Sequence, residues 1–395
     1  MKKMLMITIE LPFPPTSGGR MKSWNMVSFL SQHYELGLAC PLKYGTDEVD
    51  KFLSKVQLKH FLTDKVEIPR SGKTLLQSYL KGIPLNVLRS GSERLRQQIA
   101  DVADQYDVIL LDHYESAQYL PPNFKGKVIL HTHNATYLMW ERYAQSDANL
   151  AFRLATWLEA RRVKAYERAA CKRADLVFAS PNDIDSLVAI GAEREKFRVT
   201  YHLGDDSQLE LPALNFDQTE EALLYIGTLS WEANVDGLLW FFEAVWPKIQ
   251  ARHPKLHFYI VGGKPDPRLT AAAQPLSGIT FTGFVDDLEP YFLRARLFMA
   301  PLRFGSGIKV KVLNAMCRGL PTITTSVGSE GLVAQHMQHL SITDDAPSMV
   351  ESMDQLLTDS KMWTLMETQS RELVREHYTW KKVLGFMVDE IEKLH

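Results

Sequence analysis

Short apolar runs alternate with segments of helical periodicity along most of the chain. In the first half of the chain these runs fall at residues 3–9, 35–40, 107–111, 128–131, 176–179 and 198–201. Continuous apolar runs of this length are typical of strands that are buried on both faces of a parallel sheet. The alternation therefore predicts an α/β protein built on a doubly wound parallel sheet.

The alternation stops at residues 205–221, which lack periodicity, and then restarts with strands predicted at 223–228, 256–261, 279–281 and 322–325. The sequence thus predicts two Rossmann-like domains facing a cleft, at residues 1–204 and 222–377, joined by a linker at 205–221. The last segment, 378–395, is predicted to form a helix that packs back toward the N-terminal domain. That helix carries an apolar stripe formed by Trp380, Val383, Phe386, Met387 and Ile391.

The net charge and the cysteine content indicate which partners and which cellular compartment to expect. The formal net charge of −2 gives no reason to expect binding to nucleic acid. Residues 1–10 are basic and then apolar, but no small-residue cleavage site follows them, so they are interpreted as a first strand and not as a signal peptide. Cys40, Cys171 and Cys317 are widely separated, without metal or disulfide spacing. We therefore expect a cytoplasmic protein.

Residues 71–98 form a basic, amphipathic segment with two interpretations. Such a segment can rest on a membrane surface or meet a polyprenyl-linked acceptor, which would make the protein peripheral at the inner face of the membrane. It can equally be an ordinary surface helix with a solvated charged face. The helical, Arg- and Glu-rich stretch at 150–172 is interpreted as scaffold.

The stretch from 298 to 332 places cations where a helix disfavours them. A helix is predicted to begin about Ile308, with Lys309 and Lys311 in its first turn and Arg303 in the preceding loop. The amino end of a helix is electropositive, so an anion bound there would remove the conflict. Gly305 and Gly307 let the backbone approach a ligand closely. These features favour a phosphate site over a simple turn.

Two predicted strand ends in the first half carry polar groups, Asp112-His113 and the run from His131 to Asn134. Three interpretations are open: a metal site, a histidine that faces a bound ligand, and a histidine satisfied by neighbouring backbone groups. The first of the predicted loops also contains Gly18 and Gly19 between a strand and a helix, a unit that places backbone amides beside phosphate.

In combination, five motifs resemble the retaining, two-domain glycosyltransferases of the GT-B fold, in their family four of bacterial polysaccharide and lipid-linked sugar transferases. The motifs are PPTSGGR near the start, HTHN at 131–134, YIGTLSWEANVDGL at 225–238, FTGFVDDL at 281–288 and the stretch at 298–332. The resemblance implies transfer of a sugar from a nucleotide sugar to a hydroxyl group of a saccharide or lipid-linked acceptor, with retained anomeric configuration.

The resemblance also implies roles for individual residues. His133 would face the donor sugar and Lys309 would lie beside the diphosphate, which makes these two the candidate catalytic residues. The remaining donor-binding candidates are Gly18, Gly19, Gly227, Thr228, Phe284, Val285, Arg303, Ser306, Gly307, Ile308 and Asn314. Cations and backbone amides can stabilise the departing nucleoside diphosphate without a metal. No metal and no cofactor beyond the donor are therefore expected.

Two positions depart from the pattern of the family. Ser306 and Asn314 stand where many relatives carry glutamate, and an uncharged Asn314 loses the charge-assisted bond to a ribose hydroxyl. This departure keeps a second hypothesis open, a non-catalytic protein that binds sugar nucleotides or acts as a scaffold for such an enzyme. A third hypothesis, a nucleotide-sugar 2-epimerase, shares the expected architecture.

Overall fold

The computed structural model describes residues 1–15, 17–43, 47–69, 71–144, 150–201, 203–305 and 308–394. The chain divides into two compact units. The first unit comprises residues 1–202 together with 383–395, and the second comprises residues 203–382. Among the described residues, none of the helices is both long and apolar enough to cross a membrane.

The first unit is built on a parallel sheet whose strands, in spatial order, are β3-β2-β1-β4-β5-β6-β7. Every pair of neighbours is parallel. In chain order the strands are β1 (Lys3–Ile7), β2 (Glu35–Leu42), β3 (Phe61–Lys65), β4 (Val108–Asp112), β5 (Lys127–His131), β6 (Leu176–Ala179) and β7 (Phe197–Val199). The doubly wound parallel sheet predicted from the alternation is confirmed.

Helices connect these strands. They are α1 (Gly18–Leu30), α2 (Asp47–Leu53), α3 (Gly72–Leu80), α4 (Leu85–Arg89), α5 (Glu93–Val102), α6 (Thr136–Ala144), α7 (Leu150–Arg173) and α8 (Pro181–Ala189). Short 3₁₀ turns occupy Ala103–Gln105, Tyr114–Tyr119 and Arg194–Lys196. The core lies between the sheet and the helices and contains fully buried residues of β1 and β4, such as Leu5, Ile7, Ile109 and Leu111.

The second unit repeats the design with a sheet in the order β10-β9-β8-β11-β12-β13, again with parallel neighbours. Its strands are β8 (Ala222–Ile226), β9 (His257–Val261), β10 (Ile279–Gly283), β11 (Leu297–Ala300), β12 (Thr322–Thr324) and β13 (Ser341–Ile342). Its helices are α9 (Glu232–Trp240), α10 (Trp246–Arg252), α11 (Pro267–Ala273), α12 (Glu289–Arg294), α13 (Val310–Arg318), α14 (Ala346–Thr358) and α15 (Ser360–His377). A π-helical turn at Phe241–Val245 joins α9 to α10.

Two edge strands were not foreseen in the sequence. The strand β3 mixes polar and apolar residues and none of its five residues is fully buried, so it lacks the continuous apolar run of a central strand. The strand β13 has only two residues. The helix predicted to begin about Ile308 instead begins at Val310, because Lys309 has an extended backbone and occupies the N-cap position.

The terminal helix α16 (Trp380–Glu392) belongs from Val383 onward to the first unit. There the Tyr34 hydroxyl donates to Glu392 at 2.8 Å, and the Arg198 guanidinium donates to Glu390 at 2.5 Å. Met387 is 1% exposed. Val383 and Ile391 of the apolar stripe are buried as well, whereas Phe386 is 41% exposed.

Residues 205–221, predicted as a linker, lie within the second unit and contain the 3₁₀ turns Asp206–Glu210 and Phe216–Gln218. The Arg371 guanidinium donates to the carbonyls of Leu209 and Leu211 at 2.6 and 2.7 Å. Arg371 also pairs with Glu367 at 3.2 Å, and both side chains are 6% exposed. This buried arginine fixes the segment to α15.

Replacing Arg371 with Met should lower the free energy of unfolding by about 3 kcal/mol, because it leaves Glu367 buried without its ion partner and removes the Arg371 donor from the Leu211 carbonyl. Thermal and urea denaturation measure the change. The matched control is Arg252→Met, whose exposed pair with Glu351 should contribute less than about 1 kcal/mol. Equal losses for the two variants would show that Arg371 does not anchor the segment.

Candidate functional site

In both units the predicted site residues lie at the carboxyl ends of parallel strands. These ends share one edge of each sheet, where backbone groups and side chains converge on a ligand. In the first unit, His131 and His133 follow β5, and Gly18 and Gly19 begin α1. In the second unit, Gly227 follows β8.

Asp112 is the centre of the first edge. The register of β4 and β5 pairs Asp112 with His131. The Nδ1 atom of His131 lies 2.7 Å from Oδ1 of Asp112, and the Nε2 atom of His133 lies 2.8 Å from the same oxygen. The Ser23 hydroxyl of α1 donates to the other carboxylate oxygen. The structure thus brings together groups that are separated by about ninety residues in the sequence.

The ionisation of this cluster follows from its burial. Burial favours a protonated Asp112, but hydrogen bonds from His131 and His133 outweigh it and hold the pKa of Asp112 well below its usual range. Burial lowers the pKa of His131 to about 4 and the pKa of His133 to about 3. Near neutral pH the cluster therefore consists of a carboxylate and neutral imidazoles that donate to it.

His113, which follows Asp112 at the end of β4, also lies at this edge. Its ring stacks on His133 with 3.6 Å between centroids, and its backbone has a φ of 72°, which is uncommon outside glycine. Asp112, His113 and His133 each offer an atom within 4.8 Å of the others, which is close enough to hold a metal ion. A cation there would compete with the hydrogen bonds that Asp112 accepts. That the protein requires no metal stays a prediction.

Two residues of α1 join this edge although sequence reasoning missed them. Lys22 is 4% exposed, and burial lowers its pKa to about 8 despite the attraction of Asp112 and Asp183. Ser23 is the donor to Asp112. Both residues lie just after Gly18 and Gly19, in the first turns of the helix, and this position in the sequence could have indicated that they belong to the site. Gly19 has open space around it, so a ligand can approach its backbone.

A cavity of about 700 Å³ lies at the carboxyl ends of β1, β2, β3 and β4, wholly within the first unit. Its lining includes Glu10, Lys43, Pro69, Arg89 and Glu115. Burial raises the pKa of Glu115 to about 7, and one of its carboxyl oxygens has no hydrogen-bond partner within the described residues. The cavity therefore offers both donors and acceptors to a polar ligand.

Lys311 is the most deeply enclosed cation at the edge of the second unit. Its ammonium donates to the Tyr225 hydroxyl and to the Asn234 side-chain oxygen, both at 2.7 Å. Burial lowers the pKa of Lys311 to about 7. A Cβ atom built on Gly227 would lie 2.8 Å from the ammonium and 3.0 Å from the Tyr225 hydroxyl, so a larger residue there would have to displace the lysine. The sequence placed Lys311 among the cations of the predicted phosphate site but assigned it no donor contact.

The predicted residues around Lys311 share its edge. Thr228 accepts a hydrogen bond from the Asn234 amide at its carbonyl, at 2.9 Å. Lys309 is largely buried and pairs with Glu330 at 3.4 Å. Burial lowers the pKa of Lys309, and the nearby Glu330 partly offsets the shift. Arg303 is half-exposed, with its Nε 3.7 Å from Asp236.

The remaining candidates lie farther along the edge. Phe284 follows β10 and is 78% exposed, beside Gly263, and Val285 is next to it. Ile308 lies against Gly331. Ser306 and Gly307 lie outside the described residues. The donor contacts assigned to all of these residues stay predictions.

Asn314 already has a structural partner. Its side-chain oxygen accepts the backbone N–H of Asp205 at 2.9 Å. The oxygen that was expected to accept from a ribose hydroxyl is therefore engaged with the segment at which the chain enters the second unit. Its contact with a ribose stays a prediction.

Comparison with known proteins agrees with this architecture. Residues 220–359 match the family model described as Glycosyl transferases group 1, which covers much of the second unit. Over 403 aligned residues the chain is 21% identical to an uncharacterized 44.6 kDa protein in the cps region of Klebsiella pneumoniae, covering 99% of this chain and all of that protein.

Solved structures share the fold over the full length. Anabaena HepE in complex with UDP and glucose superposes with a TM-score of 0.64 at 12% identity, covering 100% of both chains. WaaG, a glycosyltransferase involved in lipopolysaccharide biosynthesis, superposes with a TM-score of 0.64 at 16% identity. The superposition covers 99% of this chain and 100% of WaaG. Sucrose-phosphate synthase from Thermosynechococcus elongatus superposes with a TM-score of 0.65 at 16% identity, covering 100% of this chain and 99% of the synthase. The chain has the GT-B fold.

The His131 cluster should make stability depend on pH. Because the folded state holds His131 neutral down to about pH 4, the unfolded chain binds more protons between about pH 6.5 and 4. Stability should therefore be complete above that window and fall within it by up to about 1.4 kcal/mol per pH unit for this group. His131→Asn retains an N–H donor toward Asp112 but cannot titrate. Its unfolding free energy should fall less steeply with decreasing pH.

Urea denaturation at a series of pH values measures the slope. The matched control is His33→Asn at an exposed position of the same unit, which should leave the slope unchanged. Parallel curves for His131→Asn and the wild-type protein would contradict the assignment of a neutral, buried His131.

Proposed function

We propose that this protein is a retaining glycosyltransferase that transfers a sugar from a nucleotide sugar to a hydroxyl group of a saccharide or lipid-linked acceptor. The pathway would be surface polysaccharide or glycolipid biosynthesis. The observation that carries the proposal is the enclosed Lys311 ammonium beside Gly227, in the part of the chain that matches Glycosyl transferases group 1. It is supported by HepE, whose structure holds UDP, and by the cps-region relative.

In this proposal the second unit holds the donor. A departing nucleoside diphosphate gains negative charge, and fixed cations in a dry site stabilise that charge strongly. Lys311 has two neutral partners, Tyr225 and Asn234, so its charge is not cancelled by a carboxylate in these contacts. Lys309 would exchange its partner Glu330 for the diphosphate. The protein supplies this charge itself, so we propose a metal-independent reaction.

The first unit would supply the acceptor site and contacts to the donor sugar. The cavity lined by Glu10, Lys43, Arg89 and Glu115 has the size and polarity to hold a saccharide. His133, held by Asp112 with its Nε2–H directed at the carboxylate, is the candidate for the contact with the donor sugar. A neutral imidazole there would orient the sugar by hydrogen bonding and would not act as an acid near neutral pH.

A second candidate function is favoured by Asn314. Its oxygen is engaged with Asp205, and it lacks the charge of the glutamate expected at this position. A protein with weakened ribose contacts could bind sugar nucleotides without turning them over and serve as a scaffold for an active enzyme. This candidate and the transferase differ in whether a bound donor is consumed.

Incubation with a panel of UDP-, GDP-, ADP- and dTDP-sugars, with lipid-linked saccharides extracted from membranes as acceptors, should release nucleoside diphosphate. The rate should be unchanged in EDTA, and NMR of the product should show the anomeric configuration of the donor. Donor binding without release would favour the scaffold function. An epimerised donor without transfer would identify a 2-epimerase, and dependence on a divalent metal would refute the metal-independent reaction.

Lys311→Met and Lys309→Ala should each lower kcat by about 100-fold or more, since each removes a cation that stabilises the leaving diphosphate. Circular dichroism and thermal denaturation check that the variants fold. The matched control is Lys248→Ala on an exposed face of α10, which should keep the wild-type kcat. Wild-type turnover in a folded Lys311→Met variant would remove Lys311 from the site.

A further inference from the structure

The cavity of the first unit contains a buried carboxyl group that lacks a donor. Glu115 lies in the 3₁₀ turn after β4, lines the cavity and is 9% exposed. Its Oε2 atom has no hydrogen-bond partner within the described residues. Folded proteins usually satisfy such an atom, because a buried acceptor without a donor is destabilising. A ligand with a hydroxyl group in the cavity would supply the missing donor.

Lys43, which follows β2, lines the same cavity and is partly buried. Its ammonium has no hydrogen bond and no ion pair with any residue that the structure describes. Burial lowers the pKa of Lys43 more than the negative charges of Glu10 and Glu115 raise it. Because burial removes water from the ammonium ion, a bound anion would stabilise its charge.

The carboxylates of the lining do not neutralise this lysine. Glu10 pairs with Arg20 at 3.0 Å, and Glu67 pairs with Lys65 at 3.2 Å on the exposed rim. Glu115 is the third acidic group, and burial raises its pKa to about 7, so a substantial fraction of it is neutral near pH 7. The three carboxyl groups therefore leave the positive charge of the lining largely uncancelled.

A second cation borders the cavity. Arg89 of α4 donates from its Nε to the carbonyl of Ile68, another lining residue, at 3.1 Å. This hydrogen bond holds the guanidinium at the cavity wall. The positive charge of Arg89 contributes to the lowered pKa of Lys43, so the two cations repel each other. One anion bound between them would relieve that repulsion.

We propose that the cavity selects an acidic saccharide, with Lys43 and Arg89 at its carboxylate or phosphate group and Glu115 at a hydroxyl of the same sugar. A neutral sugar would leave the cations without an anion, and an anion without hydroxyls would leave the Glu115 oxygen without a donor. The volume of about 700 Å³ lies in the usual range of small-molecule sites. The inference rests on the proposed function, which assigns this cavity to the acceptor.

Equilibrium binding measured by NMR titration, without any nucleotide sugar, tests the proposal. The probes are methyl glucoside, methyl glucuronide and glucose 6-phosphate. At least one acidic probe should bind the full chain about 10-fold or more tightly than methyl glucoside, as expected for a hydrogen bond between charged groups. Stronger binding of methyl glucuronide would identify a carboxylate as the recognised group, and stronger binding of glucose 6-phosphate would identify a phosphate.

Lys43→Gln should weaken binding of the preferred acidic probe by about 10-fold and leave binding of methyl glucoside unchanged. Glu115→Leu should weaken binding of methyl glucoside by roughly 5-fold, the equivalent of one hydrogen bond. The matched control is Lys55→Gln at an exposed position of the first unit, which should bind all three probes like the wild-type protein. Thermal denaturation checks that the variants fold.

Equal affinity of the wild-type protein for acidic and neutral probes, or no binding of the acidic probes, would overturn the proposal. An unchanged acidic preference in a folded Lys43→Gln variant would do the same. Sugar transfer by a protein without acidic preference would refute this inference alone and leave the transferase intact. Binding of an acidic probe by a protein that transfers no sugar would refute the transferase and leave the cavity as a site for acidic saccharides.

Discussion

Parallel strand pairing is the constraint on which both candidate edges depend. A parallel ladder brings the carboxyl ends of all its strands to one side, and it fixes which residues of neighbouring strands are partners. The register of β4 and β5 sets Asp112 beside His131. A shift of one residue would turn the Asp112 side chain to the opposite face of the sheet and dismantle the hydrogen bonds to His131, His133 and Ser23.

The two edges have opposite electrostatic character. The first contains a buried carboxylate surrounded by neutral imidazoles, and the second contains a buried ammonium held by a phenol and an amide. Each arrangement stabilises one charge through neutral hydrogen-bonding groups. Lys311 therefore has no carboxylate in its two hydrogen bonds, whereas Asp112 positions its histidines.

The sequence could predict the sheets because buried strands leave continuous apolar runs, and it failed at β3, which is polar at the sheet edge. From local pattern it could place Gly227 at a strand end and Lys309 at the start of a helix. It could not connect Lys311 with Tyr225 and Asn234, since those contacts join residues 77 and 86 positions apart. Exposure was equally hidden in the sequence. Three residues of α7 have the spacing of a core-facing helix, and only the folded chain shows that they are exposed: Leu150, Leu154 and Trp157.

The hydrogen bond between Asn314 and Asp205 has a mechanical consequence. Asn314 lies three residues after Lys311 on α13, and Asp205 lies two residues after the point where the chain enters the second unit. One short helix therefore carries Lys311 and also holds the first residues of the second unit. Arg318, at the other end of α13, donates to the Pro212 carbonyl at 2.9 Å. Any displacement of α13 would therefore have to break two polar contacts with residues 205–212, and the residue at 314 supplies one of them.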